Sequence, residues 1–404
     1  MAKVKSITCE HCGKSHKDLT LFVCQACGYP ISVTYDYEEI ASMITKDSLE
    51  CADSPGVWQY RKLLPEISTV NQITLGEGRT PLIRFRRLQE ELGLHRLYAK
   101  LDCLNPTGSF KDRGSAVGVS MALERGFRSV GCTSSGNMAA SVSAYGAKAG
   151  LKSVIFVPPH TPKEKLIQTC SYGAKVVGTG SMSSEDRYRL THEIGLKNRI
   201  LMINNNSPLR LEGQKTFAFE VWKEFAPQVP DWIVIPTSSG GNTYAIIKGF
   251  TELKQLGLAE RVPRILVAQS SGCAPIVKAF KEGRTTVEKW DNPESVASAI
   301  LNPLPPSGER ILKALTKDGG GAEMADSNEI IQAFRDLAGK EGVFCEPSSA
   351  VGLAALKKAT AAGTITKDDS VVLDITGVGF KDLRVASELC SPPMDIAKWT
   401  NGRP

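Results

Sequence analysis

The chain has 404 residues, of which 42% are hydrophobic and 23% are charged, and its formal net charge is +6. A chain of this length usually divides into more than one domain, and this composition is typical of globular proteins. No apolar run approaches the length of a membrane span, the basic residues form no block, and the N-terminus shows no signal or transit pattern. We therefore expect a cytoplasmic protein of two domains and a small accessory module, which binds neither membranes nor nucleic acids.

Four of the 11 cysteines lie in two knuckles near the N-terminus. Each knuckle has the pattern Cys-x-x-Cys-Gly, with thiols from Cys9 and Cys12 in the first and from Cys24 and Cys27 in the second. Such turns direct their thiolates at one tetrahedral ion, and four sulfur ligands leave no open position for catalysis. The pattern predicts a structural zinc ribbon over residues 1–36, and four buried or idle thiols are the alternative. The isolated cysteines are expected to be small, reduced core residues.

From residue 75 onward, apolar runs alternate with Gly/Ser turns and amphipathic stretches. This alternation predicts buried strands followed by helices, which is typical of parallel sheets in an α/β fold. Residues 33–71 are expected to form a connector, and the Pro/Gly-rich stretches 302–308 and 318–321 are expected to form loops. The predicted strands are Arg96–Leu101, Ser129–Cys132, Ser153–Val157, Lys175–Val177, Arg199–Ile203, Trp232–Ile235, Arg264–Ala268 and Ser370–Asp374.

The turn at residues 105–114 contains the first candidate catalytic residue. Ligands of a parallel sheet bind where strands end and helices begin, and this turn, Asn-Pro-Thr-Gly-Ser-Phe-Lys-Asp-Arg-Gly, precedes a predicted helix that runs through Ala122. Lys111 would lie in the first turn of that helix, where the positive end of the dipole favours the neutral amine. A neutral lysine can form an imine. A surface lysine in a capping loop is the alternative.

Two further turns are predicted to bind anions. Residues 133–138, Thr-Ser-Ser-Gly-Asn-Met, precede a predicted helix over residues 139–149, and their N–H groups and hydroxyls could hold a carboxylate. An ordinary serine N-cap is the alternative. Residues 236–242, Pro-Thr-Ser-Ser-Gly-Gly-Asn, suit a phosphate better, because successive N–H groups can wrap an anion without side-chain obstruction. This loop is neither a Walker A loop nor a G-x-G-x-x-G loop.

The residues of these motifs and their order along the chain resemble those of one family closely. Over residues 75–383 the chain is similar to the threonine synthase family, within the tryptophan-synthase-β-like group of pyridoxal-phosphate enzymes, and its knuckles resemble those of many microbial members. The resemblance implies fold type II, with two open, mainly parallel, three-layer α/β domains besides the zinc ribbon. The expected division is a connector and the start of the large domain at 37–95, a smaller domain at 96–215 and a larger domain at 216–404. The matching motifs are Gly76–Pro81, Asn105–Gly114, Arg210–Thr216, Glu346–Ala350 and Thr376–Asp382.

The resemblance also implies roles around pyridoxal 5′-phosphate. Lys111 would hold the cofactor as a Schiff base and move protons, with Phe110 beside it. Asn137 would hydrogen-bond the ring oxygen of the cofactor, and Thr376 would face the pyridine nitrogen. Because a hydroxyl need not protonate the ring, a larger part of the proton transfer would fall to Lys111. The residues that would cradle the cofactor phosphate are Ser238, Ser239, Gly240, Gly241 and Asn242.

The same resemblance implies that the substrate phosphate meets two cations, Lys165 and Arg210, although solvated surface side chains are the alternative. Three positions near the predicted substrate depart from the family, which usually has Thr at Met138, Asn at Ser239 and Ser at Asn205. The amide of Asn205 and the hydroxyls of Ser207 and Ser239 could still donate to a phosphate oxygen, whereas the thioether of Met138 cannot replace a hydroxyl. The other predicted substrate contacts are Ser134, Ser135 and Gly136 for the carboxylate and Ser207 for the phosphate.

The activity implied by the resemblance is conversion of O-phospho-L-homoserine and water to L-threonine and phosphate. The three departures motivate an alternative, which is β-replacement or β-elimination on a smaller amino acid such as O-phosphoserine. A further alternative is a non-catalytic zinc-ribbon binding protein on a degenerate enzyme scaffold. We expect a homodimer, because closed two-fold dimers are the commonest oligomers.

Overall fold

The computed structural model describes residues 4–18, 20–45, 48–393 and 396. No helix among these residues has both the length and the apolar content that crossing a membrane requires. The strands are β1 (Val4–Cys9), β2 (Ser15–His16), β3 (Ile31–Tyr35), β4 (Leu82–Arg84), β5 (Arg96–Lys100), β6 (Ser129–Thr133), β7 (Lys152–Val157), β8 (Lys175–Gly178), β9 (Ile200–Met202), β10 (Trp232–Pro236), β11 (Arg264–Ser270), β12 (Gly321–Ala325) and β13 (Ser370–Asp374). The helices are α1 (Tyr37–Met43), α2 (Arg86–Glu91), α3 (Lys111–Glu124), α4 (Asn137–Lys148), α5 (Lys163–Ser171), α6 (Ser184–Lys197), α7 (Pro208–Gln214), α8 (Thr216–Phe225), α9 (Gly241–Gln255), α10 (Pro275–Lys281), α11 (Gly308–Asp318), α12 (Ser327–Glu341), α13 (Pro347–Ala361) and α14 (Arg384–Glu388).

The strands form three sheets in the described part of the chain. A small antiparallel sheet in the N-terminal cysteine region has the order β2-β1-β3. A four-stranded parallel sheet has the order β8-β7-β6-β9, and a six-stranded sheet has the order β12-β11-β10-β13-β5-β4, in which β4 runs antiparallel to β5. Two mainly parallel α/β units and a small N-terminal sheet confirm the predicted fold class.

Strand β10 shows why the predicted strands are continuous apolar runs. Ile233 and Ile235 pack in one hydrophobic core, whereas Trp232 and Val234 pack in another. Because alternate residues of a strand point to opposite faces, the six-stranded sheet is buried on both faces. Helices α8 to α11 complete the first core and helices α12 and α13 complete the second, which gives three layers.

All the predicted strands occur, and each lies within two residues of its predicted bounds. Five further strands were not predicted, namely β1, β2 and β3 of the N-terminal sheet and β4 and β12 of the six-stranded sheet. The predicted loop at 318–321 is wrong at its end, because Gly321 begins β12 and pairs with Leu266 of β11. β12 has the sequence Gly-Ala-Glu-Met-Ala, which lacks the β-branched residues by which strands are recognised. β4 is only three residues long.

The predicted boundary between the two larger domains at residue 96 needs a correction. β5, which begins at Arg96, pairs with β13 in the six-stranded sheet. The chain therefore enters the larger unit with β4 and β5, leaves it to form the sheet of β6 to β9, and returns with β10. Parallel pairing joins strands that are far apart in sequence, so a division into consecutive segments could not show this exchange.

A buried ionic cluster attaches the N-terminal sheet to the larger unit. Tyr35, at the end of β3, donates a hydrogen bond of 2.6 Å to Glu212 of α7. Lys215 contacts Glu212 and lies 2.8 Å from Glu252, and Lys248 lies 2.9 Å from Glu212. The four charged side chains are at most 9% exposed. Because each buried charge depends on its partners, the cluster holds β3 against α7 and α9.

Candidate active site

A cavity of about 800 Å³ lies where strands of both parallel sheets end. The chain leaves β6, β10 and β13 into residues 134–138, residues 238–242 and Thr376, and all of these line the cavity. The volume is within the ordinary range for small-molecule sites. The two predicted anion-binding turns therefore face one enclosed space.

Lys111 is the first residue of α3 and lines this cavity, as the sequence predicted. Its Nζ lies 3.1 Å from Oδ1 of Asn205 and 4.3 Å from the centre of the Phe110 ring. Burial, together with the positive charge of Arg210, lowers the pKa of Lys111 to about 7, against the opposing effect of Glu346. A pKa near 7 leaves much of the amine neutral at neutral pH, and the neutral amine is the form that attacks a carbonyl.

The loop at residues 238–242 is shaped to admit an anion. Gly240 has a φ of +82°, and Gly241 begins α9. A Cβ on Gly240 would lie 2.5 Å from Cδ1 of Ile311, and a Cβ on Gly241 would lie 2.8 Å from the carbonyl oxygen of Asn205. Only glycine fits at either position. The first N–H groups of α9, which have no partner within the helix, can therefore be approached closely by a phosphate.

Asn242 and Thr376, which are predicted to touch the cofactor, already make hydrogen bonds within the chain. The side-chain amide of Asn242 donates to Asp374 at 3.0 Å, so this residue can offer a phosphate its backbone N–H but not a free side chain. The hydroxyl of Thr376 lies 2.8 Å from that of Ser349. This contact fixes the position of the Thr376 hydroxyl on the cavity wall.

Glu346 also lines the cavity, although no role was predicted for it. Its two carboxylate oxygens accept from the side-chain amide of Asn137 at 3.0 and 3.1 Å. Burial raises the pKa of Glu346, and the hydrogen bond from Asn137 opposes that shift. A Cβ on Gly377 would lie 2.5 Å from the carboxylate, so glycine makes room for it. The motif at 346–350 was recognised, but nothing local shows that its first side chain turns toward α4.

The cavity fits pyridoxal phosphate. The glycine turn at 238–242 suits the phosphate, and the partly neutral amine of Lys111 suits the aldehyde carbon. Thr376 and Asn137 line the same cavity and offer polar groups that suit the ring. These residues line one cavity although they come from four distant segments of the chain.

Comparison with known proteins agrees with this geometry. The profile of the family described as pyridoxal-phosphate dependent enzyme matches residues 73–377. The chain is 39% identical over 389 residues to the threonine synthase of Methanosarcina acetivorans, which covers 96% of this chain and 95% of the relative. The threonine synthase of Methanocaldococcus jannaschii is 39% identical over 390 residues, with 96% of each protein covered. The chain belongs to the pyridoxal-phosphate dependent enzymes, in the threonine synthase family.

A solved structure supports the fold independently. The structure of maize serine racemase superposes with a TM-score of 0.65 at 22% sequence identity, covering 77% of this chain and 92% of the racemase. Identity at this level shows a shared fold and nothing about the substrate. The likeness therefore confirms the fold type II arrangement of the two α/β units.

Most residues predicted to bind the substrate share the cavity with those predicted to bind the cofactor. Residues 134–138, Lys165 and Asn205 line it, and so does Ser239. The three positions that depart from the family are thus all on the cavity wall. Lys165 is half-buried, with its Nζ 3.4 Å from the hydroxyl of Ser298.

Arg210 and Ser207 are buried and do not line the cavity. Arg210 lies behind Lys111, where its guanidinium donates to the hydroxyl of Ser115 at 3.1 Å and to the carbonyl of Lys111 at 3.4 Å. Its Nε has no hydrogen-bond partner, and no carboxylate in the described ranges forms a salt bridge with it. Burial lowers the pKa of Arg210 to about 10. Arg210 is therefore a buried cation without a salt-bridge partner among the described residues, and the charge of Asp112 only partly opposes the effect of burial on its pKa.

The four knuckle cysteines meet at one point, as their spacing predicted. Their sulfur atoms all lie within 4.8 Å of one another, with 3.5 Å between the sulfurs of Cys9 and Cys27 and 3.6 Å between those of Cys12 and Cys24. Sulfur atoms around a tetrahedral zinc ion stand about 3.8 Å apart, so the cluster has nearly the size that zinc requires. His16 was not predicted here, and its Nε2 lies 3.3 Å from the sulfur of Cys24.

Proposed function

We propose that this chain converts O-phospho-L-homoserine and water to L-threonine and phosphate with pyridoxal phosphate as cofactor. The observation that carries the proposal is the position of Lys111, whose pKa is about 7, directly in front of the unpaired cation Arg210. Removal of a carbon-bound proton requires a base of this kind, and loss of a phosphate requires positive charge nearby. Similarity to threonine synthases over 96% of the chain supports the choice of substrate.

The chain's own residues divide the work of binding and proton transfer. Three parts of the cofactor would be held separately. Lys111 would bond its amine-reactive carbon, residues 238–242 would bind its phosphate, and Asn137 and Thr376 would contact its ring. Bound pyridoxal phosphate supplies an electron sink for the charge that develops at the substrate Cα. Lys111 accepts the Cα proton and returns a proton to the product, because a pKa near 7 allows both steps at neutral pH. Asn205 orients the amine by its hydrogen bond of 3.1 Å.

Lys165 and Arg210 stabilise the departing phosphate. Lys165 faces the cavity, whereas Arg210 must exchange its bond to the Lys111 carbonyl for phosphate oxygens. That bond is long at 3.4 Å and therefore weak. A bidentate, charge-assisted pair with phosphate is much stronger, so substrate binding supplies the free energy for the exchange.

Turnover on two phosphorylated amino acids tests the substrate. We expect kcat/KM for O-phospho-L-homoserine to exceed that for O-phospho-L-serine, measured with and without sulfite or sulfide, by at least about 100-fold, as for loss of a site-specific contact. Unphosphorylated homoserine serves as the control and should not react. A higher kcat/KM on O-phosphoserine would contradict the proposal and favour β-replacement or β-elimination, to which the changed residues Met138, Ser239 and Asn205 would then be suited.

Borohydride reduction tests the role of Lys111. Reduction should bleach the loaded enzyme and leave the reduced cofactor covalently attached to a single peptide that contains Lys111. Lys111→Ala should stay folded but form no covalent bond to the cofactor. Lys165 and Lys381 line the same cavity and are internal controls. A reduced adduct on either of them would show that the assignment is wrong. A colourless protein that takes up no pyridoxal phosphate would favour the non-catalytic alternative.

We further propose one structural zinc ion per chain, bound by Cys9, Cys12, Cys24 and Cys27. Metal analysis of the wild type beside a Cys9→Ser/Cys24→Ser variant should give about one zinc and none, because small metal modules fold with their metal. Equal zinc content in the two proteins would contradict this site. The homodimer, the cytoplasmic location and the absence of nucleic-acid binding stay predictions, and sedimentation analysis tests the first.

A further inference from the structure

The first cysteine knuckle touches the larger unit through one acidic side chain. Glu10 lies between Cys9 and Cys12 and accepts hydrogen bonds from the hydroxyls of Tyr244 and Ser32. These two hydroxyls also lie 2.8 Å from each other. Ser32 belongs to β3 of the ribbon, whereas Tyr244 belongs to the first turn of α9. The knuckle is thereby joined to the helix whose N-terminus forms the predicted phosphate site.

A second side chain continues this contact toward the phosphate loop. The guanidinium carbon of Arg310 lies 3.6 Å from the centre of the Tyr244 ring, and one terminal nitrogen donates to the hydroxyl of Ser307 at 2.9 Å. Another nitrogen lies 3.4 Å from the hydroxyl of Ser32. Arg310 is only 4% exposed, and it forms no salt bridge within the described ranges. The Tyr244 ring, the hydroxyls of Ser307 and Ser32 and the negative charge of Glu10 together stabilise the buried guanidinium.

Ser307 reaches the loop itself. Its backbone N–H donates to the carbonyl of Ser239 at 3.2 Å, and its Cβ lies 2.9 Å from where a Cβ on Gly240 would be. Ser307 therefore packs directly behind the glycine turn. We call Glu10, Ser32, Tyr244, Arg310 and Ser307 the knuckle–loop cluster.

We propose that the knuckle–loop cluster makes the N-terminal ribbon a positioning element for the cofactor phosphate, so that an intact first knuckle raises the affinity of the loop at 238–242 for that group. The cluster leaves the loop few ways to shift. Glu10 fixes the Tyr244 hydroxyl by a hydrogen bond, and the Tyr244 ring stacks against the guanidinium of Arg310. Arg310 in turn holds Ser307 against the turn by a hydrogen bond. A loop already held in its binding conformation loses less entropy when it binds an anion.

The inference rests on the proposed phosphate role of residues 238–242 but not on the identity of the amino-acid substrate. The test compares pyridoxal phosphate with pyridoxal, which lacks the phosphate, in binding to the full-length apoprotein. The ratio of the two dissociation constants measures what the phosphate loop contributes. General damage to the fold would weaken both ligands, whereas a displaced loop would weaken only the phosphorylated one.

Three variants each change the cluster at one point: Glu10→Gln removes the negative charge that the two hydroxyls bond, Tyr244→Phe removes only a hydroxyl, and Arg310→Met removes the guanidinium. We expect each to weaken pyridoxal phosphate binding about 5- to 30-fold, as for loss of a hydrogen bond to a charged group, with pyridoxal binding unchanged within about twofold. The Glu10→Gln/Arg310→Met double variant should lose little more than either single variant, because both act on one series of contacts. Glu309→Gln, an exposed acid beside Arg310, is the matched control and should bind as the wild type.

Zinc content is measured in every variant to separate a broken contact from an unfolded ribbon. Glu10→Gln should keep its zinc and still lose affinity for pyridoxal phosphate. Variants that keep the wild-type ratio of dissociation constants, or that weaken both ligands equally, would overturn the inference. A wild type that binds pyridoxal as tightly as pyridoxal phosphate would instead overturn the phosphate role of the loop, and the inference with it.

Discussion

Two arginines near the active site are both fully buried, but their surroundings are opposite. Arg113 of α3 lies 2.8 Å from Asp102 and 2.6 Å from Glu220. Arg210 of α7 has hydroxyl and carbonyl partners only, and one of its nitrogens has none. Burial opposes the charge of Arg113, yet its two carboxylates outweigh burial and raise its pKa well above the ordinary value. Burial instead lowers the pKa of Arg210 to about 10.

This difference separates a structural charge from a functional one. Arg113 joins α3 to the six-stranded sheet through acids that lie on other elements, so its charge is satisfied without any ligand. Arg210 lies beside Lys111 and carries a charge that no salt bridge in the described ranges balances. A buried unpaired cation costs folding free energy and persists where an anionic ligand completes it. The comparison predicts that loss of Arg113 destabilises the fold, whereas loss of Arg210 impairs the reaction.

The largest effect is expected for Arg113→Met. Removal of the guanidinium leaves Asp102 and Glu220 buried without their main partner, and breaking such a pair costs about 3–5 kcal/mol in the free energy of unfolding. Urea denaturation measures this loss. Arg125→Met, an exposed position just beyond the end of the same helix, is the control and should change little. A loss below about 1 kcal/mol would show that Arg113 is not the structural member of the pair.

Arg210→Met should separate stability from catalysis. We expect transition-state stabilisation, measured from kcat/KM for the phosphorylated substrate, to fall by about 2–4 kcal/mol, as for truncation of a buried charged partner. The free energy of unfolding should stay equal or rise slightly. Steady-state kinetics and urea denaturation of the same preparations provide both numbers. Arg189→Met on the exposed face of α6 is the control. If kcat/KM stays within about threefold of the wild type, Arg210 does not bind the phosphate.

Inorganic phosphate should act as a partial ligand of the same cation. With the cofactor bound, so that the loop at 238–242 is filled, phosphate at ten times its dissociation constant should stabilise the wild type by about 1.4 kcal/mol. Arg210→Met should lose this protection. Arg113→Met should keep it, although this variant is less stable than the wild type without phosphate. Thermal melting at fixed ionic strength measures the effect, and chloride at equal ionic strength is the control. Equal protection of the two arginine variants would remove the distinction between them.

The smallest effect concerns the titration of Lys111. Because the like charge of Arg210 helps to lower the pKa of Lys111 to about 7, Arg210→Met should raise that pKa. Only the neutral amine reacts with acylating reagents, so in the apoprotein labelling should increase with pH around pH 7 in the wild type and at higher pH in the variant. Competitive labelling with peptide mapping locates the midpoint. An unchanged or lower midpoint would contradict the electrostatic contact between the two residues.

Local patterns in the sequence correctly predicted much of this molecule. The apolar runs identified the strands at 232–236 and 370–374 nearly to the residue, since burial on both faces requires continuous apolar character. The turn before α3 placed Lys111 at a helix start, and the knuckle spacing brought four thiols together. Each of these features depends on residues that are close in sequence.

Other features depend on how distant segments pack, and no local pattern could have shown them. Whether β5 joins the larger or the smaller sheet is decided by its pairing with β13. That Glu346 binds Asn137 follows from the approach of α13 to α4. The contact between Glu10 and Tyr244 arises where the ribbon meets α9.

The sequence by itself determined the fold class, the family, the cofactor and the lysine that would bond it, because these are encoded in short motifs and in periodic burial. Only the tertiary structure decided that Arg113 is paired and that Arg210 is not, although both are arginines in the recognised motifs. The physical reason is that the charge state and the role of a buried side chain depend on the groups that folding brings around it. In this chain those groups come from strands and helices that are far apart in sequence.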